Sequence, residues 1–355
     1  MHLTQGSGRS RQSPDGSASD NLQDLVRHLA RGDPFTVFGA RTAYCHDSEA
    51  VAGGRWEGWQ IERVPGGWCN LLYRARNAVC DLAIKFTMDD ARDRAGREWG
   101  ALTALRAAGR ADIAPEPVLL DRACGGRPVV VQTWLEGEVE AAPPTDDSGW
   151  ERILEHMVRV HSVNPANANT RLPRAVVNAS TVEQARRIVH ETADHIPVAE
   201  QPASLVALLE RFDAASFPRW LPIPSALCRA DWNMLNLVRR PGLWASVDWE
   251  NAGWGDPACD VAECLTHPEN LGVPPGRWRW LVKAYCGRVW DASAAMRIAA
   301  YQRILCVRWT ARMARYLYEI PRGADQRLAP WPDDWQSTMT EKYEQYLGLS
   351  EAALA

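Results

Sequence analysis

LCRADWNMLNLVRRPGLWASVDWENAGWGDPACDVAECL, residues 227–265, is the stretch around which this 355-residue chain is organised. Two short apolar runs, 235–238 and 243–247, have strand character and flank Arg239-Arg240-Pro241-Gly242, a turn signal. Asp231 precedes the first run, Asn236 lies within it, and Asp248 and Glu250 follow the second. A hairpin here gathers Asp231, Asn236 and Asp248 at one end of a small ribbon. That is a carboxylate base beside two hard oxygen ligands suited to Mg²⁺.

Composition narrows the function classes. Hydrophobic content of 46% and charged content of 24% suit a globular chain with an ample core. A net charge of −4 argues against nucleic acid as a partner. No apolar run approaches the roughly 18–20 residues of a membrane helix, and the N-terminus lacks the apolar core of a secretory signal. Nine cysteines without metal-site spacing fit buried thiols in a reducing, cytoplasmic setting. The 17 tryptophans are mostly core filling, with a ring or cation pocket as the alternative reading. Oligomeric state leaves no signature.

Residues 1–21 read as a disordered tail, rich in Ser, Gly and Gln. Leu22, Leu25, Val26 and Leu29 then have the spacing of an amphipathic helix over 21–31. Residues 56–64 and 71–76 read as strands around Pro65-Gly66-Gly67-Trp68-Cys69-Asn70, a turn whose backbone could approach a phosphate. The next strand, 80–86, carries Lys85 among apolar neighbours, where an unpaired charge is costly. A helix over 90–108 places Glu98 within reach of Lys85, although Arg94 or Arg97 could pair with it locally. Strands at 118–120 and 129–134 complete this part. Helices are expected at 150–163, 181–193, 203–214, 257–267, 278–289, 293–320 and 334–347. Asp256 sits where a helix N-cap belongs, with Pro257 at the first helical position. Asp260 falls one turn later, facing inward. His161 reads as a hydrogen-bonded structural histidine.

The ordered set Lys85, Glu98, Asp231, Asn236, Asp248, Asp256, Asp260 resembles that of the aminoglycoside phosphotransferase and choline kinase-like family. The family pattern H-x-D-x-x-x-x-N, (I/V)-D-W-E and G-D-P-x-x-D-(L/V)-A is similar to three stretches here. They are Arg229 to Asn236, Val247-Asp248-Trp249-Glu250, and Gly255 to Ala262. Gly66, Gly67, Asn70, Tyr73 and Arg74 resemble its G-G-x-x-N-x-x-Y-R loop, and Val160-His161 the end of its L-x-x-L-H helix. The resemblance covers roughly residues 55–320.

It implies an α+β, bilobal protein-kinase-like fold: a nucleotide-binding lobe over 22–135 and a catalytic, substrate-binding lobe over 136–355. It implies Asp231 as catalytic base and Asn236 and Asp248 as Mg²⁺ ligands. Lys85 is oriented by Glu98 on the phosphates of ATP (or GTP). Gln132, Thr133, Trp134 and Leu135 become the adenine hinge, and Asp260 the brace of the catalytic loop. Arg229 replaces the family's histidine; a guanidinium beside Asp231 is expected to depress its pKa and weaken it as a base. That departure motivates an alternative reading, a catalytically weak nucleotide-binding regulator.

Asp248 is followed by Gly255-Asp256-Pro257 within nine residues, which leaves no long segment to receive a peptide. A small molecule with a hydroxyl acceptor is favoured. Residues 231–270 hold seven acids against two arginines. Glu250 and Glu263, with the rings of Trp232 and Trp254, suit an amine-bearing acceptor such as an aminoglycoside or a choline-like alcohol.

Overall fold

The computed structural model describes residues 16–31, 53–65, 69–324, 327–328 and 331–355. The expected tail lies outside the described residues up to 15. Helix α1 (Gly16–Arg31) starts five residues before the expected position. Its Leu25, Val26 and Leu29 are buried against the sheet.

The sheet has six antiparallel strands in the order β1-β2-β3-β4-β6-β5. They are β1 (Gly53–Trp56), β2 (Trp59–Val64), β3 (Leu71–Arg76), β4 (Asp81–Phe86), β5 (Pro117–Cys124) and β6 (Arg127–Thr133). The single strand expected over 56–64 is instead half of a hairpin. Glu57 and Gly58 both take positive φ (43° and 87°), the conformation that closes a two-residue turn between twisted strands. Lys85 pairs with Leu72 on one side and Val130 on the other, so β4 is central and the lysine is fixed from both flanks.

Helix α2 (Arg94–Ala107) begins four residues later than its pattern suggests, because Asp93 caps it by accepting from Gly96 N. Ala101, Leu102 and Leu105 on α2 pack with Ile113, Val160, Leu227 and Trp249, so this helix ties the sheet to the second lobe.

That lobe is mostly helical: α3 (Asp147–His161), α4 (Pro165–Ala168), α5 (Val182–Ala193), α6 (Ala203–Ala214), α7 (Pro257–Thr266), α8 (Pro275–Arg288), α9 (Ala294–Glu319) and α10 (Trp335–Leu354). Its core runs through α3, α5, α6, α7, α8 and α9. Two small ribbons lie between the lobes. One pairs β8 (Leu237–Val238) with β9 (Ala245–Ser246), a shorter hairpin than the apolar runs suggest, because Met234–Asn236 winds into a 3-10 turn. The other, absent from the sequence reading, pairs β7 (Ala226–Cys228) with β10 (Gly253–Gly255). Gly253 is required there: a Cβ would collide with the main chain of residues 173–175.

Candidate active site

Asp231 stands in a loop that one buried carboxylate organises. Asp260, on α7, accepts from Ala230 N (2.7 Å), Arg229 N (3.2 Å), Trp232 Nε1 (2.9 Å) and His161 Nε2 (3.0 Å). Burial opposes its charge, but the donors from His161, Ala230 and Trp232 outweigh burial and hold its pKa below the usual carboxylate range. Ala230 is thereby held at φ 56°, the left-handed turn that aims the next side chain out of the loop. Asn233 N donates to Asp231 Oδ1 (3.2 Å). Asp256 caps α7 through Ala258 N (2.8 Å) and is gripped by both arms of Arg297 (2.9 and 3.0 Å). His161 is hydrogen-bonded, also meeting the Tyr285 hydroxyl at 2.9 Å.

Asp248 follows β9, also with positive φ (62°). Lys85 Nζ lies 2.5 Å from Asp248 Oδ1, 2.7 Å from Glu98 Oε2 and 3.4 Å from Glu250 Oε2. Glu98 therefore pairs with Lys85 rather than with its helix neighbours. Burial works against the lysine's charge, but the three carboxylates overcome it and hold its pKa well above the usual value. Glu98, wholly buried, is pushed up to about 7 by desolvation against the pull of Lys85.

Asn236 borders the same space. Its carboxamide makes no hydrogen bond among the described residues, while its main-chain oxygen accepts from Val247 N (3.0 Å) across the ribbon. One unengaged carboxamide oxygen beside a part-exposed carboxylate is a donor set that fits Mg²⁺. Gly66 and Gly67 lie outside the described residues. Gln132 is buried with Oε1 unpaired, and Thr133 Oγ1 accepts from Glu116 N (2.9 Å). Trp134 N donates to Asp81 O (2.9 Å), and Arg74 covers the Trp134 ring at 4.4 Å. The main chain of Leu135, next in line, carries no hydrogen bond among the described residues.

Four side chains expected to meet the substrate are engaged within the protein. Glu250 is buried; it accepts from Asn70 Nδ2 (2.6 Å) and pairs with Arg94 and Lys85, so it ties Asn70 to both basic side chains. Glu263 is buried and accepts from Trp232 N (3.0 Å). Trp232 is 1% exposed, and its indole nitrogen is committed to Asp260. Trp254 lies in β10, pairs with Leu227 and donates from Nε1 to Thr170 O (3.3 Å).

Arg229 also differs from expectation. Its guanidinium does not engage the Asp231 carboxylate. It donates to Asp231 O (3.2 Å) and Val247 O (3.0 Å) and sits between the rings of Trp232 (5.4 Å) and Trp249 (4.8 Å). One side chain thus ties the loop of Asp231 to the strand that presents Asp248. Asp231 is not depressed; burial raises its pKa and outweighs the opposing charge of Arg229. Arg229→Met should cost ~3 kcal/mol of unfolding free energy, since it strands two carbonyls in the interior, and urea denaturation reads that loss.

The sequence reading missed three further residues. Arg94, 3% exposed, links Asp90 on its own turn (2.9 Å) to Glu250. His156 is buried and donates from Nδ1 to Trp244 O (3.2 Å) while Nε2 accepts from Ser246 Oγ (2.9 Å), which anchors β9 on α3. Burial holds its pKa down at about 3, so it stays neutral. His267 Nε2 lies 3.5 Å from Asp231 Oδ1. Only the charge of Arg94 at the start of α2 and the apolar neighbours of His156 hinted at these roles.

A two-lobed fold with a lysine–glutamate pair facing an Asp231/Asn236/Asp248 ribbon defines a small-molecule kinase. The phosphotransferase enzyme family model matches residues 60–296, and the chain belongs to that family. Among solved structures it is similar to a choline/ethanolamine kinase family protein from Mesorhizobium loti, with 19% identity, 95% of this chain and 98% of that one covered, and TM-score 0.54. A choline kinase from Streptococcus pneumoniae matches at 16% identity, with 81% and 93% covered and TM-score 0.53. A spectinomycin phosphotransferase in complex with ADP and spectinomycin matches at 11%, with 83% and 93% covered and TM-score 0.53. No curated protein matches in sequence.

Proposed function

We propose that this protein transfers the γ-phosphoryl group of ATP to a hydroxyl of a small molecule. The observation that carries this reading is Lys85, held at once by Glu98 on α2 and by Asp248 on the catalytic ribbon. Such a lysine gives up one carboxylate to meet phosphate oxygens, and Glu98 keeps it aimed. Asn236 and Asp248 would hold Mg²⁺, which screens the phosphate charge when bound. Asp231 receives or orients the proton of the acceptor hydroxyl. Arg229 fixes the distance between base and metal-side strand through main-chain oxygens. That role leaves the Asp231 carboxylate available and counts against a merely regulatory nucleotide binder. The ADP, choline and spectinomycin in the names of similar structures are consistent with nucleotide binding and with a compact, hydroxylated acceptor.

Asp231 must be ionised to act, and its folded-state pKa is raised, first by burial. Activity should therefore disappear as pH falls through a value above 3.8, the ordinary aspartate value. A kcat/KM profile against pH in the presence of Mg-ATP checks this. A profile flat down to the ordinary aspartate range would remove Asp231 from the proton-handling role.

A further inference from the structure

Among the described residues, one carboxylate oxygen of Asp231 has neighbours and the other has none. Asn233 N donates to Oδ1 (3.2 Å), and His267 Nε2 stands 3.5 Å from the same oxygen. Oδ2 accepts no hydrogen bond there and is not shut away from solvent, in a side chain that is 24% exposed. The base thus has a held edge and an open edge.

His267 follows α7 and opens the 3-10 turn Pro268–Asn270. Glu269 N donates to its Nδ1 (3.3 Å), so Nδ1 presents a lone pair. In the neutral ring that hydrogen bond assigns the proton to Nε2, the nitrogen beside Asp231. The ring is neutral at ordinary pH. Burial holds its pKa down at about 4 against the pull of Glu269, with Lys342 and Arg308 on the side of burial. It is also fixed in place, 8% exposed, with the Trp309 ring edge-on at 5.8 Å between centroids. Capping the turn uses Nδ1 alone, and Asn, Asp or Ser would cap it as well. The second ring nitrogen is what those residues lack.

We propose that His267 is a positioning residue for the base: its Nε2–H and Asn233 N hold Asp231 Oδ1, which leaves Oδ2 to receive the proton of the acceptor hydroxyl. This rests on the kinase reading above and adds to it the reacting oxygen and the group that presents it. As the acceptor oxygen bonds to the γ-phosphorus and the bridge to ADP breaks, the hydroxyl proton passes to Oδ2. The terminal torsion of an aspartate is broad, so a single main-chain donor leaves the carboxylate free to turn. A second donor on the same oxygen fixes its plane, the arrangement in which a catalytic base is oriented by a third group. About 0.5 Å of movement brings the contact to ordinary N–H···O length. Contacts at catalytic bases commonly tighten by such amounts as the reacting complex forms.

Two substitutions separate positioning from capping. His267→Asn keeps an oxygen where Nδ1 stands, so the cap survives, but its amide ends short of Asp231. His267→Gln carries an amide nitrogen as far out as Nε2 and gives up the cap. The assay is Mg-ATP transfer to an acceptor panel of choline and other amino alcohols, an aminoglycoside, sugars and hydroxy acids. On the best acceptor, His267→Asn should lower kcat roughly 10- to 100-fold with little change in either KM, the worth of a hydrogen bond to a charged group. His267→Gln should recover kcat to within a few-fold of wild type. Unchanged Mg-ADP affinity by calorimetry shows that the variants are folded. Nitrogen-15 NMR of the histidine-labelled wild type, independent of any variant, should find the His267 proton on Nε2. A proton on Nδ1, wild-type kcat in His267→Asn, a loss confined to KM, or an equal loss in His267→Gln would overturn the inference and leave the kinase reading standing. Wild type that phosphorylates no member of the panel would bring down the kinase reading, and the inference with it.

Discussion

Asp231→Asn is expected to lower kcat by roughly 10²- to 10⁴-fold, the usual contribution of a positioned proton acceptor. Asparagine keeps the shape and still offers an oxygen to Asn233 N, so the loop should persist. Mg-ADP affinity should change little, because on the proposed reading the nucleotide is met by the Lys85, Glu98 and Asp248 group rather than by Asp231. Steady-state kinetics beside calorimetry separate the two effects. A variant with full turnover would mean that another group handles the hydroxyl proton, and a variant that loses ADP binding would mean that Asp231 shapes the nucleotide site.

Asp260→Ala should have the largest effect on stability. It strands Ala230 N, Arg229 N, Trp232 Nε1 and His161 Nε2 in the interior, and breaking a buried charged network of this kind costs roughly 3–5 kcal/mol. Ala230 would also lose the contact that holds its left-handed turn, so activity should fall with stability. The pH dependence has a definite sign. The folded-state pKa of Asp260 is depressed, so its stabilisation is complete above the ordinary aspartate pKa and is lost as pH falls through the lower folded value. The gap between wild type and variant in urea denaturation should therefore narrow in acid. A gap that widened in acid would contradict the assignment of Asp260 as the ionised acceptor.

Much of the frame was legible because local signals carried it. Lys85 inside an apolar strand demanded a counter-charge, and Glu98 supplies it. Asp256 and Pro257 announced the start of α7, and periodicity placed α6 at its observed bounds. What escaped depended on distant pairing. β7 and β10 are three residues each, too short to show alternation, and pair across the 24 residues between Cys228 and Gly253. The turn at Glu57-Gly58 uses a glutamate with positive φ, which sequence preference does not suggest. Within the site, an acid count could not tell Glu250 and Glu263 facing solvent from the same residues engaged by Asn70, Arg94 and Trp232 N. Likewise Arg229 stands two positions from Asp231 in sequence, yet its charge goes to main-chain oxygens and two indole rings. Direction of a side chain, not spacing, decided each of these.

The most direct test of phosphoryl transfer is phosphorus NMR of the protein with Mg-ATP and the acceptor panel, run for wild type and Asp231→Asn. A new phosphomonoester signal should grow with ADP for wild type, and at least about 100-fold more slowly for the variant. ADP and inorganic phosphate without any phosphomonoester across the panel, or equal rates for the two proteins, would contradict it.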